Sequence, residues 1–354
     1  MNSNDFITKP QDKIEYPITK AIDLIKEIEN EPEAKILWNG IIEGSKGLIV
    51  GIAKTGKTTF AENLAISLAT GRKEFYGHQI LCGPKRVLFI NLEEKFVRMA
   101  RRNKKQIISL SENELKMFSD NYYTNPKKFI EYLNNENDWM TLRNYIIQIN
   151  PDIVFIDSIS HMCIGEIEKS SVAQNFTQNL NKYLYSLEKT FIMIHHNVKG
   201  NDKPIDQGNI AGSRFISQEF DFAYGFSNIP TKEGGNYSCM LYNKDIQNDD
   251  NQATIYKINN YGWFENLSVE NKYVLYEERK MDFRINSKNK DELLDFFKSS
   301  DSSDSSAIST SELTKYFVDK NIMSKTTLFE CLKKLVKEGA ILREENGLYR
   351  IKTS

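Results

Sequence analysis

In Gly51-Ile52-Ala53-Lys54-Thr55-Gly56-Lys57-Thr58-Thr59 the first eight residues match the phosphate-binding pattern GxxxxGK[ST] without a gap, and this stretch decides the class of the chain. The flanks agree with it. Residues 47–50 (Gly-Leu-Ile-Val) read as a buried strand, and residues 60–70 carry Leu64, Ile66, Leu68 and three alanines, as a packed helix does. A strand, a glycine-containing loop and a helix in this order turn successive backbone N–H groups toward one point at a helix N-terminus, where the dipole favours phosphate oxygens. Gly51, Ala53, Lys54, Thr55, Gly56, Lys57, Thr58 and Thr59 are therefore the expected phosphate-binding set. Lys57 is expected to reach the β- and γ-phosphates of ATP, and Thr58 to ligate Mg²⁺. Lys54 stands three positions before Lys57, whereas the extra lysine of deviant Walker loops stands five before, so it reads as an ordinary loop residue.

The chain has 354 residues, enough for one large core and a small second domain. Its 47 basic and 48 acidic side chains nearly cancel, so nucleic-acid binding would have to come from local patches. Four cysteines, Cys82, Cys163, Cys239 and Cys331, follow no metal-ligand spacing and read as reduced thiols of a cytoplasmic protein. No apolar run reaches transmembrane length, and the opening residues lack the apolar region of a signal peptide, so no membrane association is expected.

Residues 1–35 read as a polar arm with a short amphipathic helix near residues 18–28. Residues 36–281 alternate strand-like runs with helical stretches, the pattern of an α/β fold with a mainly parallel sheet. Strands are predicted at 47–50, 86–91, 153–156, 190–195, 222–226 and 237–243, and helices at 93–105 and 139–149. Residues 109–138 are polar and weakly periodic. Beyond a linker at 282–289, residues 290–354 change character: two short helices at 291–298 and 311–319 precede a helix capped by Ser324 and periodic through Leu328, Leu332, Leu335 and Val336. Gly339 stops that helix, and Asn346-Gly347 turns a β-hairpin. Three helices closed by a hairpin resemble a winged helix-turn-helix domain, with the Ser/Asp-rich residues 299–306 as a loop inside it.

Pro151-Asp152-Ile153-Val154-Phe155-Ile156-Asp157 is a buried strand ending in a carboxylate, the Walker B layout, in which Asp157 holds Mg²⁺ opposite Thr58. Ser158 occupies the place where many motors carry a catalytic Glu. The base expected instead is Glu93, just past the strand at 86–91, with Glu94 as its rival.

Trp38-Asn39-Gly40, Phe89-Ile90-Asn91-Leu92-Glu93, the Asp157 strand, His195-His196-Asn197-Val198-Lys199 and Gly212-Ser213 together resemble the RecA-fold ATPases of the plasmid RepA type over roughly residues 37–243. The resemblance implies a RecA-like P-loop NTPase core, ring hexamers or related homo-oligomers with ATP sites between subunits, and a role like that of replicative DNA helicases. It also implies Glu93 as catalytic base, His195 or His196 as the sensor of the γ-phosphate, and Lys199 as part of the same signature. One departure concerns the residue reaching into a neighbour's site. The lysine-x-arginine strand end of DnaB-like motors reads Lys244-Asp245-Ile246 here, so only the lysine survives as a catalytic cation acting in trans; Arg214 is the candidate to supply the missing one, although it falls several residues short of the arginine position of the plasmid helicase. Since trans-acting arginines contribute about 10³-fold or more, turnover is expected to be lower.

His195-His196 lacks the spacing of a metal site. Arg98, Arg101, Arg102, Lys104 and Lys105 read as a solvated basic helix face, with DNA contact as the alternative. Residues 163–174, opening at Cys163 and closing at Gln174, occupy the position of a central-channel loop in RecA-fold rings, and a plain surface connection is nearly as good a reading. Lys325, Thr326 and Thr327 open the helix that would meet DNA, although residues 288–354 carry 12 basic and 11 acidic side chains and suit a protein contact as well. The expected function is an oligomeric, DNA-associated ATPase, a helicase or translocase in replication of a plasmid, phage or mobile element. Its competitor is a non-motor ATP switch that binds DNA and recruits or regulates a replication or recombination protein. A small-molecule kinase would leave the C-terminal domain without a role.

Overall fold

The computed structural model describes residues 19–29, 35–196, 203–210, 214–230, 234–246, 251–276, 287–300, 307–320, 322–344 and 347–351. Of Asn209, Arg214, Phe215, Ser287, Lys288, Ser300 and Lys337 it describes the backbone alone. Asn197, Val198, Lys199, Gly212, Ser213, Asn346 and residues 301–306, all singled out in the sequence, lie outside the described residues. The chain divides into two units, residues 1–35 and 36–354. Within the first, α1 (Ala21–Glu29) carries Ile22, Leu24, Ile25 and Ile28, all exposed.

The second unit opens with a small ribbon, β1 (Ile36–Trp38) and β2 (Ile41–Ile42), and then the strand β3 (Lys46–Gly51) and helix α2 (Lys57–Thr70) that flank the phosphate loop. There follow β4 (Glu74–Phe75), β5 (His78–Gln79), β6 (Val87–Asn91), α3 (Phe96–Ile107), α4 (Glu112–Asn121), β7 (Tyr122–Thr124), α5 (Glu136–Ile149), β8 (Ile153–Asp157), α6 (Ser170–Asn179) and β9 (Thr190–His196). Helix α7 (Arg214–Glu219) leads into β10 (Phe222–Asn228), β11 (Asn236–Asn243), β12 (Gln252–Ile258) and β13 (Phe264–Asn271). Nine of these strands form one sheet in the order β13-β12-β11-β10-β3-β9-β8-β6-β7. From β7 to β10 all neighbours are parallel, and β11 to β13 extend the sheet as an antiparallel meander. The six strands expected from the sequence are all present. The short strand β7, helix α4 and the hairpin β12–β13 are additions.

Period-two alternation places apolar side chains on both faces of the central strands, as a sheet covered on both sides requires. Leu48, Val50, Leu88, Ile90, Val154, Ile156 and Met193 face one core with Trp139 and Leu142 of α5. Ile49, Phe89, Phe155, Ile192 and Ile194 face the other, with Phe60, Leu64 and Leu68 of α2. Helix α4 begins at a capping box, in which the Ser111 hydroxyl accepts from Glu114 N and Glu114 accepts from Ser111 N. Among the described residues no helix is long and apolar enough to cross a membrane.

Toward the C-terminus, α8 (Ser287–Ser300), α9 (Thr310–Phe317) and α10 (Lys325–Lys337) combine with β14 (Ile308–Ser309), β15 (Ile341–Arg343) and β16 (Leu348–Ile351). The three strands form an antiparallel sheet in the order β14-β16-β15. Leu293, Phe297, Leu313, Phe317, Leu328, Leu332, Leu335, Ile341 and Tyr349 close a separate core. Helix α8 starts inside the stretch 282–289 expected as a linker, because Leu293 and Phe297 need the preceding turn in register. Residues 282–286 lie outside the described residues.

Candidate active site

The register of the parallel strands gathers the site. Gly51 is opposite His196, Asp157 opposite Ile194, and Asn91 opposite Asp157. The carboxyl ends of β3, β9, β8 and β6 therefore open at one edge, where α/β sheets bind ligands. Gly51 is required by a close approach, since a Cβ there would come 2.4 Å from the Phe226 carbonyl oxygen. Gly56 has φ +84°, a left-handed conformation that favours glycine, and offers no side chain to cap α2. The first N–H groups of α2 are thus left for an anion. Ala53 and Lys54 are exposed at the tip of the loop, while Thr55 is buried and its hydroxyl donates to Ile52 O at 2.9 Å.

Lys57 is buried and donates from Nζ to Gly51 O and Ile52 O, each at 2.9 Å. Burial lowers its pKa, with the charges of Asp157 and Glu93 opposing the change. Thr58 Oγ1 donates to Asp157 Oδ2 at 2.6 Å. Burial raises the Asp157 carboxyl to about 7. A hydroxyl and a carboxylate oxygen converging beside the phosphate loop are the oxygen donors a hard cation takes, so Thr58 and Asp157 fit Mg²⁺. The Asp157–Ser158 peptide bond is cis.

Glu93 and Glu94, adjacent in sequence, face different partners. The Asn91 side chain makes the difference: its Oδ1 accepts from Glu94 N at 3.0 Å and its Nδ2 donates to Glu94 O at 2.8 Å, which fixes the turn after β6. Asn125 in turn holds the Asn91 backbone, accepting from N at 2.8 Å and donating to O at 3.0 Å. Glu93 Oε2 accepts from the Ser158 hydroxyl at 2.5 Å and lies 3.8 Å from His196 Nε2. The nearby His196 ring and the Ser158 hydroxyl outweigh partial burial and hold the Glu93 carboxyl down at about 2. Glu94 instead pairs with Arg102, which also grips the fully buried Glu62 at 2.5 and 2.7 Å.

Of the two histidines, His195 is buried beside Val50 and His196 is half-exposed beside Gly51 and Glu93. Lys244 and Arg214 lie elsewhere. Phe222 is opposite both Gly47 and Asn243, so Lys244 follows β11 at the amino end of the parallel strands, about 13 Å along the strand direction from the end at Gly51. Its Nζ donates to Gln218 O at 2.7 Å, near the end of α7, the helix that Arg214 opens. Lys244 and the Gln218 end of α7 therefore lie at the sheet end away from the chain's own phosphate loop.

Three expectations need correction. Arg102 is not part of a solvated basic face: Arg98, Arg101, Lys104 and Lys105 are exposed, but Arg102 points inward because the buried Glu62 carboxylate needs a cation. Residues 163–174 are not one polar loop, since α6 begins at Ser170 and Ile167 and Ala173 are buried in the core. Thr327 is not a free contact residue. Its N–H donates to Ser324 Oγ at 3.1 Å and the two hydroxyls share a hydrogen bond at 2.8 Å, which caps α10, while Lys325 and Thr326 remain exposed. Sequence reasoning missed the roles of Asn91 and Ser158. The signal for the first was an asparagine closing a strand, the usual start of an Asx turn.

A family profile described as AAA domain matches residues 12–202, more than half of the chain, and the chain belongs to that family. It is a P-loop ATPase built on a large, mostly parallel sheet. A comparison with curated proteins returns no match. Among solved structures the chain is similar to a KaiC-like protein from the hyperthermophilic archaeon Pyrococcus horikoshii, at 15% identity and a TM-score of 0.45, over 64% of this chain and 91% of that one.

Proposed function

We propose that this ATPase is RecA-like and of the RepA type, that it hydrolyses ATP between subunits, and that it acts on DNA as a helicase or translocase in the replication of a plasmid, phage or mobile element. The observation that carries the catalytic part is the meeting of Lys57, Thr58, Asp157, Glu93 and His196 at one sheet edge, with Glu93 alone of the two acids turned toward Ser158 and His196. The placement of β9 between the phosphate-loop strand and the Asp157 strand supports the RecA-like assignment.

In this reading the first turn of α2 and the Lys57 ammonium hold the phosphates, and Thr58 and Asp157 would hold Mg²⁺, which would supply positive charge against the phosphate oxygens. The Glu93 carboxylate accepts a proton from the attacking water. The water oxygen bonds the γ-phosphorus as its bond to the ADP oxygen breaks, releasing ADP and phosphate. Ser158 fixes the carboxylate by its hydrogen bond, and His196, between Glu93 and the end of β3, reads the γ-phosphate.

Lys244 lies at the sheet end opposite its own phosphate loop, which suits a cation that serves a neighbouring subunit. The three C-terminal helices and three-stranded sheet suit a winged helix-turn-helix, with Lys325 and Thr326 exposed at the opening of α10. The slower alternative, a switch that binds DNA and recruits a replication or recombination partner, draws on Lys244 being the single cation of its strand end and on its hydrogen bond to Gln218 O.

Strand displacement with ATP, run beside sedimentation and DNA binding with and without a non-hydrolysable analogue, separates these readings. The helicase reading expects nucleotide-dependent oligomers, DNA affinity and displaced strand. Oligomers that bind DNA without displacement leave the switch. A particle that stays monomeric and has no DNA affinity contradicts both.

A further inference from the structure

The antiparallel meander does more than extend the sheet, because two of its strands reach the phosphate loop. Tyr256 of β12 donates its hydroxyl to the Thr55 carbonyl at 2.6 Å in a buried contact spanning 201 residues of sequence. Burial raises the Tyr256 phenol above its ordinary range, so the group stays protonated and is a donor. Ile258 and Phe264 press on the Gly56 position, where a Cβ would meet each at 2.9 Å. Asn63 of α2 ties down the turn of the hairpin: its Nδ2 donates to Gly262 O at 3.1 Å and its Oδ1 accepts from Phe264 N at 2.9 Å.

The consequence follows from peptide geometry. In a planar trans peptide the C=O and the following N–H point in opposite directions. Fixing the Thr55 carbonyl toward Tyr256 therefore fixes the Gly56 N–H away from the meander. Glycine at φ +84° has the freedom to rotate that peptide, so an external restraint is what selects one orientation. We propose that Tyr256 is a positioning residue for ATP binding, holding the Thr55–Gly56 peptide with its N–H directed at the nucleotide phosphates. This inference rests on the phosphate loop being the ATP site. It assigns to the hairpin β12–β13 the task of preorganising the loop, so that binding need not order it.

The test is Tyr256→Phe in the full chain, which removes one oxygen and leaves the ring packing against Phe226 and Phe264. Tyr224→Phe is the control. That hydroxyl is also buried in the same aromatic cluster, but its partner is Ser238 Oγ at 3.2 Å and not the loop. Affinity for ADP and for an ATP analogue is measured by titration, with KM and kcat from phosphate release and the melting temperature of each variant. Tyr256→Phe should weaken nucleotide binding and raise KM about ten-fold, on the scale of a buried carbonyl losing its donor, with a smaller change in kcat. Tyr224→Phe should bind as the wild type does, with a melting temperature lowered to a similar extent. Equal nucleotide affinity in Tyr256→Phe and wild type would overturn the inference while leaving the ATP site intact. Equal losses in both variants would also overturn it, reducing Tyr256 to packing. Absence of nucleotide binding by the wild type would overturn the site itself.

Discussion

Glu93 and Glu94 differ by one position and by almost everything else. Glu93 receives the Ser158 hydroxyl and faces His196, whereas Glu94 is engaged by Arg102. Arg102 donates to both Glu94 carboxylate oxygens, which leaves them less open to an attacking water than those of Glu93. Glu93→Gln should therefore retain ATP binding and lose about 10²- to 10⁴-fold in turnover, the range of general-base contributions. Glu94→Gln should hydrolyse ATP within a few-fold of wild type. Single-turnover phosphate release on both variants checks this assignment, and the reverse pattern would move the base to Glu94. The sequence carried both candidates because the strand register is uncertain by a residue or two at its end. Asn91 settles the register in the structure by pinning the turn with two hydrogen bonds.

Helices α2 and α3 are joined by a buried charge pair. Glu62 is fully buried, and burial raises its carboxyl pKa against the pull of the Arg102 fork. Arg102→Ala leaves that carboxylate without its cation, and breaking such a pair typically costs about 3–5 kcal/mol. Denaturant titration should show a loss of that size, partly restored by adding Glu62→Gln. A change below about 0.5 kcal/mol, as for a solvated surface arginine, would contradict the pairing. The same element shows where sequence reading stops. Arg102 sits among five basic residues and nothing local separates it from them. Its partner is 40 residues away, so only the packing of α3 on α2 makes the distinction. The hairpin β12–β13 was hidden for a related reason. Strand β13 is exposed at nearly every position after Phe264, so it lacks the apolar alternation by which half-buried strands are recognised.

Over the whole molecule, the legible part of the site is the part made of contiguous residues. The loop from Gly51 to Thr59, the strand ending at Asp157 and the helix capped by Ser324 each carry their signal within about ten residues. What the sequence could not show is what meets across the fold: Tyr256 on Thr55, Asn63 on the hairpin, and Lys244 at the far end of the sheet from its own phosphate loop. Tyr256 and Asn63 tie the loop and its helix to the hairpin, and in the proposed reading the chemistry belongs to Lys57, Thr58, Asp157 and Glu93. Hydrolysis of ATP at this loop is tested most directly by steady-state phosphate release from Lys57→Ala. Hydrolysis should fall to background with weakened ATP binding, because the cation facing the phosphates is lost, and the melting temperature should fall modestly as the Gly51 and Ile52 carbonyls lose their donor. Hydrolysis at the wild-type rate in a folded Lys57→Ala protein would contradict hydrolysis at this loop.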